Sequence, residues 1–332
     1  MEYSIETHDL VKRFNGLTAV NKVNLKVKKG ELFGFLGPNG AGKTTTINML
    51  ITLLEPTSGR ATVNGHDVVK ESVEVRHSIG IVPQESVLEG YLSAYENLIF
   101  YGKLYHVPMS DLRERIPELL AMVQLDDRAH DLVRTFSGGM KRRLEIAKAF
   151  LHEPEIIFMD EPTLGLDIQT RLVIWEHIRE LNREKNITIF LTTHYMEEAD
   201  ALCGRIAIID NGVIQALGTS DELKKSIGKG EIIDLKVAGS AEQLYARLTR
   251  LNLHPVKRDG GLRIVLPDAG PAVQKIMLEA QKLRTPVTEI SMHESTLDDV
   301  FIHYTGKGIR EQRVEPTGGA FSGQMMRRMM GR

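Results

Sequence analysis

The sequence has a single cysteine, Cys203, and almost no excess of one charge sign over the other. A lone cysteine excludes a disulfide framework and a cysteine-based zinc site, and it favours a reducing compartment. The 42 lysines and arginines nearly balance the 44 aspartates and glutamates. Because nucleic-acid binding relies on neutralising phosphate charge with basic residues, we expect no nucleic-acid partner.

The sequence also lacks long apolar runs, and none approaches the roughly 18 residues that a bilayer-spanning helix needs. The first ten residues contain no basic stretch followed by an apolar one, so no secretory signal is predicted. We therefore expect a soluble, intracellular protein. At about 100 to 200 residues per domain, the 332 residues correspond to two domains, or to one large domain with an appendage.

Short apolar runs alternate with helical patterns through the first two thirds of the sequence. One predicted strand, Leu32–Leu36, precedes a predicted helix from Thr44 to Leu54. Further along, Pro108 and Pro117 stand where helices are expected to begin. Strands alternating with helices predict an α/β core with a mostly parallel sheet. We assign this domain to residues 1–225, with a helical subdomain at about 85–150.

A composition change near residues 226–230 separates a second region from the first. The patterns that follow have the order β-α-β-β-α-β and a final helix, which predicts a small, ferredoxin-like α+β domain over residues 230–305. Residues 306–332 are rich in methionine and basic side chains. We interpret them as a disordered terminus; the alternative is a segment that contacts a membrane surface or a dimer partner.

A glycine-rich segment follows the strand predicted at Leu32–Leu36 and matches the pattern G-x-x-x-x-G-K-[ST]. Small residues let backbone N–H groups turn inward around phosphate oxygens, and the next helix adds free N–H groups at its positive end. In this pattern the lysine contacts the β- and γ-phosphates, and the threonine hydroxyl binds Mg²⁺. An ordinary strand–helix turn is the weaker alternative. The predicted nucleotide-binding residues are Gly37, Pro38, Asn39, Gly40, Ala41, Gly42, Lys43, Thr44 and Thr45.

Two carboxylates, Asp160 and Glu161, follow the apolar run Ile156–Met159. Such a run describes a buried strand whose end meets the ligand-binding edge of the sheet. Asp160 fits the Mg²⁺-associated acid of P-loop enzymes. Because successive strand side chains point in opposite directions, Glu161 is expected to act differently, by orienting or deprotonating the attacking water. Without the upstream glycine loop, a solvated turn would be the better interpretation.

The segment around Ser137, TFSGGMK, resembles the signature motif of ATP-binding cassette (ABC) ATPases. Ser137 lies 23 residues before Asp160, a spacing typical of that family. A Ser-Gly-Gly turn at a helix start is also an anion-binding cap. Since Lys43 already serves the phosphates of its own chain, the resemblance implies a head-to-tail homodimer. In that dimer, ATP lies between the glycine loop of one chain and Ser137, Gly138 and Gly139 of the other.

Four further residues match motifs of the same family. Gln84 matches the glutamine that senses the γ-phosphate and Mg²⁺, Asp167 lies in the D-loop, and His194 matches the switch histidine near the γ-phosphate. Phe14 is the best match for the aromatic residue that stacks on adenine, although a single Phe beside a strand is more often part of a core. The resemblance thus implies catalytic roles for Lys43, Gln84, Glu161 and His194, and Mg²⁺ ligation by Thr44, Gln84 and Asp160.

The motifs also depart from the family pattern. Phe136 and Met140 replace the common leucine and glutamine of the signature, and the D-loop lacks the common serine-alanine pair. These changes are similar to those of the drug-exporting subfamily that resembles the daunorubicin-resistance ATPases. The segment Ser295–Phe301 resembles the C-terminal ending of that subfamily.

The resemblance implies a P-loop, ABC-type nucleotide-binding domain with an antiparallel β subdomain and a helical subdomain, followed by a small α+β domain. It implies ATP and Mg²⁺ as cofactors. It implies an ATPase that drives export of a drug, lipid or glycoconjugate through a separate integral membrane permease, at the cytoplasmic face of the membrane. The alternatives are an importer ATPase, a soluble ABC ATPase acting on ribosomes or DNA, and a non-catalytic nucleotide-binding module, which the intact motifs disfavour.

Overall fold

The computed structural model describes residues 2–227, 231–238, 241–258, 261–266 and 269–306. The strands are β1 Tyr3–Phe14, β2 Leu17–Lys28, β3 Leu32–Leu36, β4 Ser58–Val63, β5 His66–Asp67, β6 Ile79–Val82, β7 Ile156–Asp160, β8 Thr188–Thr193, β9 Arg205–Asp210, β10 Val213–Gly218, β11 Glu231–Val237, β12 Val256–Arg258, β13 Gly261–Leu266 and β14 Val287–Glu294. The helices are α1 Lys43–Leu50, α2 Ser72–Ser78, α3 Ala94–Leu104, α4 Met109–Met122, α5 Gly138–Ala149, α6 Ile168–Lys185, α7 Met196–Leu202, α8 Ser220–Ser226, α9 Glu242–Arg250, α10 Gly270–Lys282 and α11 Leu297–Thr305.

A six-stranded sheet in the order β10-β9-β3-β8-β7-β6 forms the centre of the first domain. All neighbouring pairs are parallel except β9 with β10, so the predicted α/β fold is confirmed. Strands β3, β7 and β8 are buried along their whole length, because helices or other strands cover both faces of the sheet. The carboxyl ends of these parallel strands meet at one edge, where polar loops follow.

A second sheet, antiparallel and in the order β2-β1-β4-β5, lies against the loop between β3 and α1. A Cβ on Gly42 would stand 2.4 Å from the carbonyl oxygen of Ala19 in β2. The backbone N–H of Gly212, in the β9–β10 turn, donates to the carbonyl of Ala41 at 3.0 Å. The glycine loop is therefore held between strand β2 and the β9–β10 turn.

The helical region contains α3, α4 and α5 around its own apolar core. Pro108 precedes the first residue of α4, as predicted, but the prediction that Pro117 begins a helix is wrong, because Pro117 lies inside α4. Leu112, Ile116 and Leu120 are buried along one face of this helix. We attribute the tolerance of the proline to that packing, which offsets the roughly 3 kcal/mol cost of an interior proline.

Helix α1 also differs from its prediction at one end. It ends at Leu50, four residues before the predicted Leu54. The chain leaves the helix at Thr52, which has a φ of 67°, in the left-handed region. A threonine rarely adopts this conformation, so the sequence carried no signal for the stop there.

The C-terminal region has the predicted element order, β11-α9-β12-β13-α10-β14-α11. Its sheet has the order β12-β13-β11-β14, and all its neighbouring pairs are antiparallel. The apolar face of the final helix packs on the first domain. Leu297, Val300 and Phe301 of α11 belong to the same buried cluster as Leu202 and Leu223 of the first domain. The tail predicted for 306–332 lies outside the described residues from position 307 onward.

Candidate active site

The loop between β3 and α1 has the backbone shape that its glycines predict. Gly40 and Gly42 have φ values of 80° and 105°, which strongly favour glycine. A Cβ on Gly37 would stand 2.5 Å from the carbonyl oxygen of Ile209. The remaining loop positions, Pro38, Asn39, Ala41, Thr44 and Thr45, lie between or directly after these glycines. The loop is thus a close-fitting turn at the start of a helix, which is the geometry of a phosphate site.

Lys43, the first residue of α1, lies across this loop with a side chain only 5% exposed. Its ammonium donates to the carbonyl of Gly37 at 2.8 Å and to that of Pro38 at 3.2 Å, and it lies 3.2 Å from Oε1 of Glu161. Burial lowers the pKa of this lysine below its ordinary value, although Glu161 and Asp160 oppose the shift. A buried cation with a carboxylate beside it is thereby placed at the mouth of the loop.

Glu161 directly follows β7 and turns away from the strand at a φ of 47°. Its N–H donates to the carbonyl and to the hydroxyl of Thr192, both at 3.1 Å. Its Oε2 lies 3.1 Å from Nδ1 of His194. Burial opposes ionisation of Glu161, but His194 and the charge of Lys43 outweigh it and hold its pKa below the ordinary value. This carboxylate is therefore ionised at neutral pH and able to accept a proton.

His194 follows β8 on the neighbouring parallel strand, and its side chain is 17% exposed. Nδ1 is buried and lies within ion-pair distance of Glu161, and it has no hydrogen-bond partner in the described part of the chain. The imidazole ring packs on the ring of Tyr195, with 4.1 Å between centroids. The histidine thus contacts Glu161 without being locked to it, as is common for catalytic groups before substrate binds.

Asp160 ends β7 and is 7% exposed. Its Oδ1 accepts a hydrogen bond from the hydroxyl of Thr192, and Thr44 is a second side-chain partner. Burial and the nearby charge of Glu161 raise the pKa of this carboxyl, and the two threonine hydrogen bonds oppose the rise. A carboxylate and a hydroxyl in contact are hard oxygen donors of the kind Mg²⁺ prefers.

Within the described residues, no group of three or more histidine, cysteine, aspartate or glutamate side chains forms a metal cage. Mg²⁺ is usually bound through one or two carboxylates together with substrate phosphates and water. The donor pair of Thr44 and Asp160 beside the glycine loop therefore fits Mg²⁺ that is bound together with a nucleotide. The structure brings together five of the predicted site residues: Lys43, Thr44, Asp160, Glu161 and His194.

The signature and the D-loop form a separate, exposed surface. Ser137 caps α5 by accepting the N–H of Met140 at 3.2 Å, and Asp167 caps α6 by accepting from Thr170. A Cβ on Gly139 would stand 2.4 Å from the side chain of Thr170, so the glycine allows the two helix starts to approach each other. Gly138 is exposed beside them, and the exposed apolar residues Leu164 and Ile168 belong to the same stretch.

Gln84 and Phe14 also lie outside the cluster. Gln84 is exposed two residues beyond β6, the strand that pairs with β7. Phe14 ends β1 with 43% of its surface exposed, and Lys12 lies over its ring at 5.2 Å from the centroid. The hairpin that carries Phe14 continues into Ala19, which borders the glycine loop. An exposed ring on this hairpin is available for stacking.

Sequence reasoning missed three buried polar residues around this cluster. Thr192, fully buried in β8, holds both Asp160 and the backbone of Glu161, and its signal was a threonine pair at the end of an apolar strand directly before His194. Arg142 and Glu198 form hydrogen bonds with residues next to Glu161, and they are 8% and 0% exposed. No sequence pattern distinguishes these two from surface charges of their helices.

Among the helices of the described ranges, none combines the length and the apolar character that a bilayer crossing requires.

Comparisons with known proteins agree with this architecture. A family described as ABC transporter matches residues 20–164, and one described as ATP-binding protein DrrA1-3-like, C-terminal domain, matches residues 218–305. The linearmycin resistance ATP-binding protein LnrL of Bacillus subtilis is 39% identical over 315 residues, covering 92% of this chain and 100% of that protein. The daunorubicin resistance ATP-binding protein DrrA3 of Streptomyces coeruleorubidus is 41% identical over 298 residues, covering 89% of this chain and 93% of that protein.

Solved structures show the same fold. The dimeric structure of MJ0796, a bacterial ABC transporter cassette, matches with a TM-score of 0.59 at 29% identity and covers 65% of this chain and 98% of the cassette. A post-hydrolysis dimer of the same cassette, bound to ADP and Pi, matches with a TM-score of 0.58 at 28% identity and covers the same 65% and 98%. The predicted fold class is confirmed.

Proposed function

This chain belongs to the family of ABC transporter ATP-binding subunits, and from that premise we propose that two copies bind and hydrolyse ATP at shared sites to drive export through a separate membrane permease. The observation that carries the proposal is the pairing of buried Lys43 with Glu161 at the mouth of the glycine loop, with His194 on the second carboxylate oxygen. These three groups surround the place where a γ-phosphate would lie.

Nucleotide binding starts at the loop and Lys43. In the present geometry the lysine is held by Glu161 and by two loop carbonyls. The phosphates of ATP offer stronger acceptors than neutral carbonyls, because charge-assisted hydrogen bonds are about twice as strong as neutral ones. Lys43 therefore turns toward the phosphates and leaves Glu161 free to interact with water. Phe14 stacks on the adenine from the neighbouring hairpin.

Thr44 and Asp160 would hold Mg²⁺, with Gln84 approaching from the end of β6. When bound, the ion neutralises charge that develops on the phosphate oxygens. Asp160 gains from such a neighbour, because burial and the charge of Glu161 raise its pKa and a further cation would stabilise its ionised form.

Glu161 serves as the group that orients water and takes its proton while water oxygen bonds to the γ-phosphorus and the bond to ADP breaks. A base in this position must be ionised at neutral pH, and the lowered pKa of Glu161 provides this. His194 lies on the far oxygen of the same carboxylate and stabilises the phosphoryl charge. The products are ADP and inorganic phosphate.

The partner in hydrolysis is a second copy of the chain. Ser137, Gly138 and Asp167 lie on an exposed surface outside the cluster of Lys43 and Glu161, and the buried Gly139 directly follows Gly138, so this motif serves the nucleotide held by the partner. The capped start of α5 supplies backbone N–H groups and the positive end of a helix dipole toward that phosphate. The dimeric cassette among the solved relatives supports this arrangement.

The transport direction follows from the relatives. LnrL and DrrA3 are named as resistance proteins. A further relative, 34% identical over 308 residues, is the Nod factor export ATP-binding protein I of Ralstonia nicotianae. We therefore propose export of a drug, lipid or glycoconjugate in preference to import or to action on ribosomes or DNA. The chain is proposed to associate with the cytoplasmic face of the membrane through its permease.

The experiment that tests the shared site compares Ser137→Arg with the wild-type chain in sedimentation with ATP and Mg²⁺. The bulky cation is expected to abolish ATP-dependent dimers while ATP affinity of the monomer, measured by calorimetry, stays the same. Ser110→Arg, at an exposed helix start of the helical region, is the matched control and should still dimerise. Dimers that survive Ser137→Arg would contradict the shared site. ATP hydrolysis is then measured with and without the co-expressed permease.

A further inference from the structure

Arg142 lies in α5, the helix that begins after Ser137, and its side chain is buried inside the domain. Its guanidinium donates hydrogen bonds to three backbone carbonyls, two at the end of β7 and one after β6: from Nε to Pro162, from Nη2 to Asp160 at 3.1 Å, and from Nη1 to Pro83. Its planar fork presents five N–H donors in fixed directions, so one side chain reaches all three carbonyls.

The three carbonyls border two proposed reaction residues. Asp160 and Pro162 stand on either side of Glu161, and Pro83 directly precedes Gln84. Glu161 itself has a φ of 47°, a conformation that a side-chain-bearing residue keeps only where its neighbours hold it. Arg142 supplies two of the bonds that hold these neighbours.

Glu198, in α7, completes the same buried network. Its Oε1 accepts from the hydroxyl of Thr163 at 2.7 Å and from the indole N–H of Trp175 at 3.0 Å, and Thr193 is a further side-chain partner. Thr163 follows the Glu161 turn, and Thr193 directly precedes His194. Burial lowers the pKa of Arg142 to about 10, with Glu198 among the carboxylates that oppose the shift. At neutral pH the guanidinium therefore keeps its charge and all its donors.

We propose that Arg142 is a positioning residue that joins helix α5 to the backbones of Glu161 and Gln84. The proposal rests on the proposed function, in which Ser137 meets the nucleotide of the partner while Glu161 serves the nucleotide of its own chain. Arg142 lies five residues after Ser137 on the same helix. A displacement of α5 at one site is therefore carried to the reacting carboxylate of the other.

The neighbouring Arg143 shows why this arrangement is specific. It also donates two hydrogen bonds from its guanidinium to backbone carbonyls, but to those of Val123 and Gln124 at 2.8 and 3.1 Å, in the helical region. The two arginines share a helix, a charge and a type of acceptor. They differ in which backbone they hold, so Arg143→Gln is a matched control for Arg142→Gln.

The test uses the full chain and measures kcat, KM for ATP, ATP-dependent sedimentation and thermal unfolding. Since misplacing a catalytic group by about 1 Å costs up to about 100-fold in rate, Arg142→Gln is expected to lower kcat by about 10- to 100-fold. We expect its KM and its ATP-dependent dimer to stay close to those of wild type. Arg142→Gln and Arg143→Gln are expected to lower the unfolding temperature by similar amounts, but Arg143→Gln is expected to keep the wild-type kcat. Arg142→Lys keeps the charge without the fork and should also lose kcat.

Wild-type kcat in Arg142→Gln, or an equal loss of kcat in Arg143→Gln, would overturn the positioning role. If Arg142→Gln does not fold, Arg142→Lys decides in its place, and wild-type kcat in that variant overturns the proposal. Glu161→Gln is measured alongside. If it hydrolyses ATP as wild type does, the proposed role of Glu161 fails, and this outcome is distinct from a failure at Arg142.

Discussion

The ATPase core and the C-terminal domain each contain a group of charges withdrawn from solvent, and the two groups are paired differently. In the C-terminal domain, Arg263 donates two hydrogen bonds to the two carboxylate oxygens of Asp234, both at 2.7 Å, and a third to Asp299. The carboxylate of Asp299 also accepts hydrogen bonds from the backbone N–H and the hydroxyl of Thr296, the N-cap residue of α11, at 3.0 and 2.8 Å. Every charge in this network has a well-aligned partner.

In the ATPase core, by contrast, Lys43 is divided between Glu161 and two carbonyls, and Nδ1 of His194 lies near Glu161 without a hydrogen bond to it in the described part of the chain. Glu161 is in addition held at a positive φ.

The two groups of charges are suited to different tasks. A saturated network keeps one geometry, and that of Arg263 ties the C-terminal sheet to α11, which packs on the ATPase core. A partly satisfied group exchanges partners at low cost when a phosphate arrives, because its donors are not committed to ideal acceptors. The charged groups of the ATPase centre can therefore change partners when nucleotide binds, whereas the Arg263 network keeps the C-terminal sheet attached to α11.

The largest expected effect is that of Glu161→Gln on turnover. Loss of a general base typically costs between about 100- and 10,000-fold, so we expect kcat to fall by about 1,000-fold. ATP still binds, and the unhydrolysed nucleotide should accumulate closed dimers in sedimentation. The unfolding temperature should change little, because this site is not built for stability. The matched control is Glu176→Gln, at an exposed position of α6, which should keep kcat. Wild-type turnover in Glu161→Gln would show that Glu161 is not the general base.

The next effect is that of Lys43→Ala on ATP affinity. A hydrogen bond to a charged group contributes about 1.5 to 3 kcal/mol, so calorimetry should show affinity lower by about 10- to 100-fold. Removing a buried cation whose pKa is already lowered by burial should not reduce the unfolding temperature greatly. Lys225→Ala, at an exposed position of α8, serves as the control. Unchanged affinity in Lys43→Ala would contradict the phosphate site.

Arg263→Met should show the opposite profile, with a loss of stability and normal ATP binding. Breaking this pair leaves two carboxylates without their partner, and we expect the free energy of unfolding to fall by about 2 kcal/mol, less than for a fully buried pair because Asp234 is 31% exposed. Lys236→Met, which breaks an exposed pair with Glu289 in the same sheet, should change it little. Equal effects in denaturant unfolding would show that the Arg263 network does not hold the domain.

The smallest effect is a pH dependence at Glu279. Hydrogen bonds from Arg247 and Lys282 lower the pKa of Glu279 to about 2. A carboxyl with a lowered pKa stabilises the fold above its unfolded pKa, and this contribution is lost as the pH falls through the folded value. Glu279→Gln should therefore have a lower unfolding temperature than wild type at pH 7, and the difference should shrink as the pH falls below the ordinary range of glutamate. A difference that is constant with pH would argue against this pairing.

Much of the candidate active site was predictable, because its proposed chemistry is carried by residues at fixed spacing along short segments. Lys43 and Thr44 follow the glycine loop directly, and the loop's glycines are required by positive φ values that the structure contains. Arg142 was not predictable, because its three acceptors are backbone carbonyls that lie 18 to 59 residues away in sequence and carry no mark of their own in the sequence. Pro117 misled the prediction, since burial of Leu112, Ile116 and Leu120 outweighs the local preference of proline.

The order of amino acids was sufficient to predict the strand-loop-helix of the proposed phosphate site, the position of Asp160 and Glu161 after a buried strand, and the order of elements in the C-terminal domain. These features depend on local propensity and on hydrophobic period, both of which act over a few residues. Only the tertiary structure decided that Lys43, Glu161 and His194 meet, and that α11 packs on the ATPase core. Those contacts join residues on different strands and loops, or elements of different domains, and they exist because parallel strands end at a common edge and apolar faces pack together.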